Sequence, residues 1–218
     1  MATFLRPLSY RYQWLYDGIS RLAALGVGGE ARFRHLALEG LEIAPDARVL
    51  DLCCGSGQAT AVLAQYSQQV TGLDASPRSL ARARQNVPEA DYVEAFAEEM
   101  PFPDNTFDLV HTSAALHEMA PEQLRIIVAE VYRVLKPGGT FALVDFHRPT
   151  NPLFWPGVAA FLWLFETETA WQLIRTDLGG LLAEEGFAVG DSPSGENPPR
   201  HCLHAGGSLQ VIQAVKGV

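Results

Sequence analysis

The sequence predicts an α/β protein built on a seven-stranded, mostly parallel sheet with an antiparallel edge hairpin and helices on both faces. Three observations carry that expectation. The apolar run Val49–Leu52, broken only by Asp51, leads into Gly55-Ser-Gly57 and then a helical pattern from Gln58 to Tyr66. Such a run reads as a buried parallel strand, a tight turn and a helix start. Next, Val70-Thr-Gly-Leu-Asp74 is a second short strand ending in an acid. A carboxylate there, about twenty residues beyond a glycine turn, is placed to accept two ribose hydroxyls. Thereafter strands alternate with helical segments as far as Phe146, which argues a parallel sheet covered on both faces.

The glycine turn also narrows the ligand. Glycines at 55 and 57 remove Cβ atoms where a ligand can lie against the backbone. The third glycine of a dinucleotide fingerprint is missing, because Thr60 stands at that position. No Gly-Lys-Ser/Thr phosphate loop follows either. A nucleoside ligand without an essential pyrophosphate fits this pattern better than NAD does.

Composition excludes other classes. A chain of 218 residues forms one substantial core, or one core with a lid. Hydrophobic residues make up 48% and charged ones 19%, so the protein is folded and rather apolar. A formal charge of −9 argues against a nucleic-acid partner, which needs clustered Lys and Arg. Three cysteines, two of them adjacent, give neither a disulfide framework nor a zinc spacing. Cys53 and Cys54 read as reduced residues of a buried strand end without a nucleophilic role. The N-terminus lacks the continuous apolar run of a cleavable signal, so a cytoplasmic location is expected.

Residues 1–45 read as a helical cap ahead of a main domain spanning 46–218. Tyr10–Asp17 is rich in aromatics, Ile19–Leu25 continues as helix, and Gly26-Val-Gly-Gly29 breaks it. Glu30–Leu41 is a second helix with Phe33, Leu36, Ala37 and Leu41 on one side. Such a segment either covers the core or closes over a ligand. Ser76-Pro77 opens a helix to about Gln85, with a cap and a proline where no amide donor is needed. Ala90–Ala95 is the third strand, Glu98–Asn105 a proline-punctuated loop and Phe107–Thr112 the fourth strand. Pro121 opens a helix that stops before Lys136-Pro-Gly-Gly139, and Thr140–Phe146 is the fifth strand. Asp177–Glu185 is a further helix ended by Gly186, Phe187–Val189 a strand, and Ser192–Gly207 a long turn region. Leu209–Val215 completes the edge hairpin.

Four motifs together carry a resemblance. They are Asp51-Leu-Cys-Cys-Gly-Ser-Gly57, Gly72-Leu-Asp74, Met100-Pro-Phe-Pro-Asp-Asn-Thr-Phe-Asp108 and Tyr132-Arg-Val-Leu-Lys-Pro-Gly-Gly139. In succession they resemble the motifs of class I S-adenosylmethionine-dependent methyltransferases, whose fold is Rossmann-like. The match is closest to the C-methyltransferases of ubiquinone and menaquinone biosynthesis. Asp145-Phe-His-Arg-Pro-Thr-Asn-Pro-Leu-Phe154 resembles that group's acidic-aromatic stretch after the fifth strand. The likeness covers roughly residues 46–154. The central motifs also occur in sterol, tocopherol-precursor and small-phenol methyltransferases.

The resemblance implies S-adenosyl-L-methionine as cofactor and assigns residues to it. Asp51 would orient the methionine moiety, which Gly55, Ser56 and Gly57 approach closely, with Cys53 in the same turn counted among the contacts. Asp74 would hold the ribose hydroxyls, Ala75 would lie near adenine, and Ser113 would stand near the cofactor. One departure matters: Ala95-Phe-Ala-Glu98 replaces Gly-Asp-Ala-Glu. Phe96 would then stack on adenine while the Ala97 amide, or Glu98, makes the nitrogen contact.

On the acceptor side, His111 reads as a packed ring, whereas His117 and His147 stand at strand ends where a base for a phenolic proton would act. His117, Glu118, Asp145 and His147 fit no compact zinc or iron spacing, and no metal is expected.

Residues 151–171 form the second informative stretch, within a lid insertion expected over 149–175. Asn151–Phe165 carries no charge and is dense in Phe, Trp and Leu, yet prolines make it too short and interrupted to span a membrane. It reads as a lid over a small hydrophobic acceptor or as a peripheral membrane contact. Oligomeric state is not legible. The functional expectation is methyl transfer to a hydrophobic aromatic or quinol-like acceptor. A catalytically silent binder of an adenosyl ligand is the competing class.

Overall fold

The structure, a computed structural model, describes residues 25–190 and 200–217. The aromatic helices expected before Leu25, and the turn region over residues 191–199, lie outside the described residues.

Eight strands form one sheet in the order β3-β2-β1-β4-β5-β8-β6, with β7 also paired to β8. The strands are β1 (Arg48–Leu52), β2 (Gln69–Asp74), β3 (Asp91–Glu94), β4 (Phe107–Ser113), β5 (Leu135–Phe146), β6 (Phe187–Ala188), β7 (Arg200–His204) and β8 (Leu209–Lys216). The first five pair in parallel, and β8 runs antiparallel to β5. The helices are α1 (Glu30–His35), α2 (Thr60–Leu63), α3 (Pro77–Asn86), α4 (Pro121–Val134), α5 (Trp155–Phe165), α6 (Glu168–Leu173) and α7 (Leu178–Glu185).

The central strands read as apolar runs because both of their faces are buried. Leu50 and Leu52 of β1 and Val110 of β4 enter one core with Ile127 and Val131 of α4. Val49 and Leu109 point the other way, into a second core with Leu36, Ala37 and Leu38. The segment expected as one helix over Glu30–Leu41 is thus α1 followed by a 3₁₀ turn at Leu36–Leu38. Buried Gln213 of β8 anchors that turn by donating to the carbonyls of Ala37 and Glu39 at 3.0 and 2.9 Å.

Three further elements depart from the expected ones. The helix after the glycine turn contracts to α2, because bonds to the fourth and third preceding carbonyls alternate through Tyr66. β5 begins at Leu135, so the Lys136-Pro-Gly-Gly139 helix stop lies within a strand. Its register with β4 shifts between Phe107 and Leu109, and a Cβ on Gly139 would come within 2.8 Å of the Lys136 carbonyl. Finally, Arg200–His204 is a strand where a turn was expected. β6 pairs with the C-terminal end of β8 and β7 with the rest of it, so two short strands share one edge.

Candidate active site

The strand order reverses between β1 and β4, and in open α/β sheets the crevice beyond the strand ends opens at that point. A cavity of about 680 Å³ occupies it. Its walls come from the β1 exit, the β2 exit with the first turns of α3, the β4 exit, and Arg34 of α1.

The turn after β1 is shaped by backbone geometry. Cys53 adopts φ 58°, and Gly55 and Gly57 adopt 56° and 83°. Ala114, across the cavity at the β4 exit, has φ 52°. Left-handed backbone costs a residue with a Cβ on the order of 1–2 kcal/mol, and here two such residues face one crevice. Gly72 is required by packing, since a Cβ there would meet Cys54 Sγ and the Tyr92 ring at 2.9 Å.

Three carboxylates organise the strand ends. Buried Asp51 accepts from Thr60 Oγ1 at 2.6 Å on one oxygen and faces His111 Nδ1 at 3.2 Å with the other. Asp74 accepts the Gly55 amide at 2.9 Å and the Ser76 amide at 2.8 Å, tying the glycine turn to the start of α3. Buried Asp145, at the end of β5, accepts the amides of Ala115, Leu116 and His117 on Oδ2 at 3.1, 2.8 and 3.3 Å. Its Oδ1 accepts the Phe146 amide at 2.7 Å and lies 2.8 Å from His117 Nδ1.

Electrostatics separate these groups. Burial, with Asp74 and Asp51 nearby, pushes the Cys53 thiol up to about 12, and burial likewise raises Cys54. Neither thiol is a nucleophile at neutral pH. Burial by itself disfavours an imidazolium at His117, yet Asp145, with Glu166 and Glu118, raises it to about 9. Its carboxylate neighbours thus favour the protonated form of the ring.

The cavity wall contains Asp51, Cys53, Gly55, Ser56, Asp74, Ala75 and Ser113 from the positions singled out in the sequence. Gly57 turns its bare Cα toward α3, where a Cβ would stand 3.2 Å from that of Ala83. Ala97 is buried in the core, and Phe96 is 69% exposed to solvent. His147 is tied to the sheet edge, with Nδ1 2.8 Å from the Gly207 carbonyl. His117 sits on the 3₁₀ turn Leu116–Glu118 beside the wall residues Ala115, Glu118 and Met119.

Sequence reasoning passed over Arg34, Gln58, Arg78 and Arg82, which also line the cavity. Arg34 donates to Gln58 Oε1 at 2.7 Å and to Glu30 Oε1 at 2.6 Å. Its distance along the chain from the glycine turn left no spacing signal. Glu166 was also passed over, although its Oε2 lies 3.5 Å from His117 Nε2.

The cavity's size suits a nucleoside-sized ligand, its glycine turn leaves backbone bare, and Asp74 lines it from the end of the neighbouring strand. A sheet that reverses order beside such a turn, with a carboxylate but no phosphate cradle, places the molecule among the class I methyltransferases. The comparisons agree. Residues 49–139 match the model of the methyltransferase domain. An uncharacterized methyltransferase of Synechocystis sp. is 61% identical over 98% of this chain and 97% of its own. A 2-phytyl-1,4-naphtoquinone methyltransferase of Nostoc sp. is 33% identical over 71% of this chain and 69% of its own. A demethylmenaquinone methyltransferase of Lactiplantibacillus plantarum is 35% identical over 65% of this chain and 62% of its own. The fold matches that of a TehB-like SAM-dependent methyltransferase from Corynebacterium glutamicum, with TM-score 0.63 at 18% identity, over 96% of this chain and 98% of that one. The chain belongs to the methyltransferase family, uses S-adenosylmethionine as methyl donor, and is related to the enzymes of quinone biosynthesis.

Proposed function

We propose that the methyl acceptor is a small hydrophobic aromatic, a quinol-like ring carrying an ionisable hydroxyl. One observation carries this reading: the uncharged segment around α5 reaches the polar cluster at the strand ends. Phe161 of α5 packs on Phe146 with ring centroids 5.8 Å apart, and Phe146 packs on His117 at 4.6 Å. α6 lies against the Leu116–Glu118 turn. An apolar wall and a polar group thus meet beside the donor cavity. The naphthoquinone and menaquinone substrates in the names of two relatives support the same acceptor class.

S-adenosylmethionine supplies an electrophilic methyl group on a cationic sulfur. Asp74 is assigned to the ribose and the Gly55–Gly57 turn to the methionine part, with Asp51 beneath it. What the protein adds is placement of the acceptor and exclusion of water. His117, rather than His147, is the group assigned to the acceptor oxygen, toward which it would donate a hydrogen bond.

Residues 149–175 are assigned as lid, and residues 1–45 as a cap. Leu153, Phe154, Trp155 and Trp163 are exposed on the lid side, which supports a peripheral contact with a lipid surface that holds such acceptors. Among the described residues no helix is long and apolar enough to cross a membrane. Product mass analysis across prenylated quinols, tocopherol precursors, sterols and small phenols tests the proposal. A quinol methylated in preference to the others supports it, and a preference for a soluble polar metabolite overturns it.

A further inference from the structure

The strand-end cluster contains more than a positioned histidine. Ligand atoms of His117, Glu118 and Glu166 all lie within 4.8 Å of one another. They come from two places in the chain, the 3₁₀ turn after β4 and the link between α5 and α6. We propose that His117, Glu118 and Glu166 bind one divalent transition-metal cation at the acceptor side of the donor cavity.

Geometry supports the assignment on both sides of the imidazole. His117 Nε2 and Glu166 Oε2 are 3.5 Å apart. That is longer than a hydrogen bond, and close to the roughly 3.3 Å separating two ligands on a tetrahedral ion with bonds of about 2.0–2.1 Å. The 4.8 Å bound on the set is only slightly wider than the roughly 4.2 Å spanned by two opposed ligands with such bonds, and rotation of a glutamate side chain closes any excess. The other ring nitrogen faces Asp145 Oδ1 at 2.8 Å, and Asp145 is itself fixed by backbone amides. A carboxylate behind a histidine is the partner that metal-ligating imidazoles keep, because it sets the ring's tautomer and orientation.

The donor set points to the class of ion. Two carboxylates and an imidazole that releases its Nε2 proton when the ion binds present two negative charges, which a divalent cation balances. Imidazole nitrogen favours zinc or iron over magnesium and calcium, and the two carboxylates also suit manganese. Three protein ligands leave coordination positions open, and Glu118 borders the donor cavity. An ion held there would bind the ionised oxygen of the acceptor. That last role rests on the proposed acceptor class, whereas the binding site itself does not.

Full-length protein, freed of metal with a chelator, is titrated calorimetrically with zinc chloride and, separately, manganese chloride. The expected result is one ion per chain for at least one of the two, at micromolar or tighter affinity. Glu166→Gln should weaken binding at least tenfold, and His117→Ala should abolish it, with folding checked by circular dichroism. Glu118→Gln provides a third arm if the histidine variant fails to fold. Absence of saturable binding in the parent protein overturns the proposal, as does unchanged affinity in folded Glu166→Gln. The readout is ion binding, so loss of the quinol reading would leave this result standing.

Discussion

Asp145 and His117 are bound to each other twice. The carboxylate holds the His117 backbone amide on Oδ2 at 3.3 Å and faces its ring Nδ1 with Oδ1 at 2.8 Å. One buried side chain at the end of β5 therefore sets both the path of the turn after β4 and the direction of the imidazole. The left-handed backbone at Ala114 swings the next amides onto that carboxylate.

Asp145→Asn is expected to lower stability by about 3 kcal/mol or more. An amide group would face several donors with a donor of its own, and each buried group left unsatisfied costs about 1–3 kcal/mol. Urea denaturation of the variant beside the parent protein measures the loss. Equal midpoints would show that the carboxylate does not organise the turn.

Asp74→Ala should weaken S-adenosylhomocysteine binding by about 1.5–3 kcal/mol, the range for hydrogen bonds to a charged group. The same carboxylate ties the Gly55 amide to that of Ser76, so the turn loosens as well. Calorimetric titration gives the affinity. A folded variant with unchanged affinity would remove Asp74 from the ribose site, and NAD should show no saturable binding in the same cell.

Stability should fall as the solution is acidified. Arg133, by hydrogen bonding, holds the Glu130 carboxyl below its usual range. Burial works against the Asp108 carboxylate, yet Lys136 and the Arg48 amide still hold it low. Depressed folded-state values stabilise the protein above the unfolded carboxylate range, near pH 4, and that contribution is lost as pH falls through the folded values. Both groups are partly exposed, so the effect is modest and screened by salt. Thermal melts between pH 7 and pH 3 should show a declining midpoint that Glu130→Gln flattens. A midpoint that rises with acid would contradict the sign.

Replacing Phe161 and Phe165 with serine should raise the acceptor KM at least tenfold and leave S-adenosylhomocysteine affinity nearly intact. Both rings lie on the half-buried side of α5, 5.5 Å apart, and neither lines the donor cavity. Burial of a large apolar side chain contributes about 1.5–3 kcal/mol, which sets the scale. Steady-state kinetics with a prenylated quinol, beside a donor titration, separates the two effects. Equal loss of donor and acceptor binding would mean that the helix only supports the fold.

Much of this protein was legible from local chemistry. Val49–Leu52 reads as a strand because its side chains enter two cores, and Asp74 reads as a site residue because ribose recognition imposes a short spacing from the glycine turn. Ser76-Pro77 and Pro121 mark helix starts by removing or capping orphan amides. Each of these signals is complete within a few residues or one strand-helix unit.

Tertiary structure decided the rest, because its partners are far apart in the chain. Arg133 of α4 pins the proline-rich loop through the Met100 and Phe102 carbonyls, a contact no local spacing announces. Arg200–His204 lacks an apolar run and became a strand because β8 offered an unpaired edge. Phe96, expected to stack on adenine, stands exposed at the end of β3, a placement its local sequence did not fix. His117 was legible as a candidate from its place after β4, but its meeting with Glu166 depended on where α5 and α6 pack. The sequence by itself determined the parallel strands and the glycine-turn end of the crevice, whose contacts are local and periodic. Only the packed chain decided the cluster around His117, where side chains from separate loops converge.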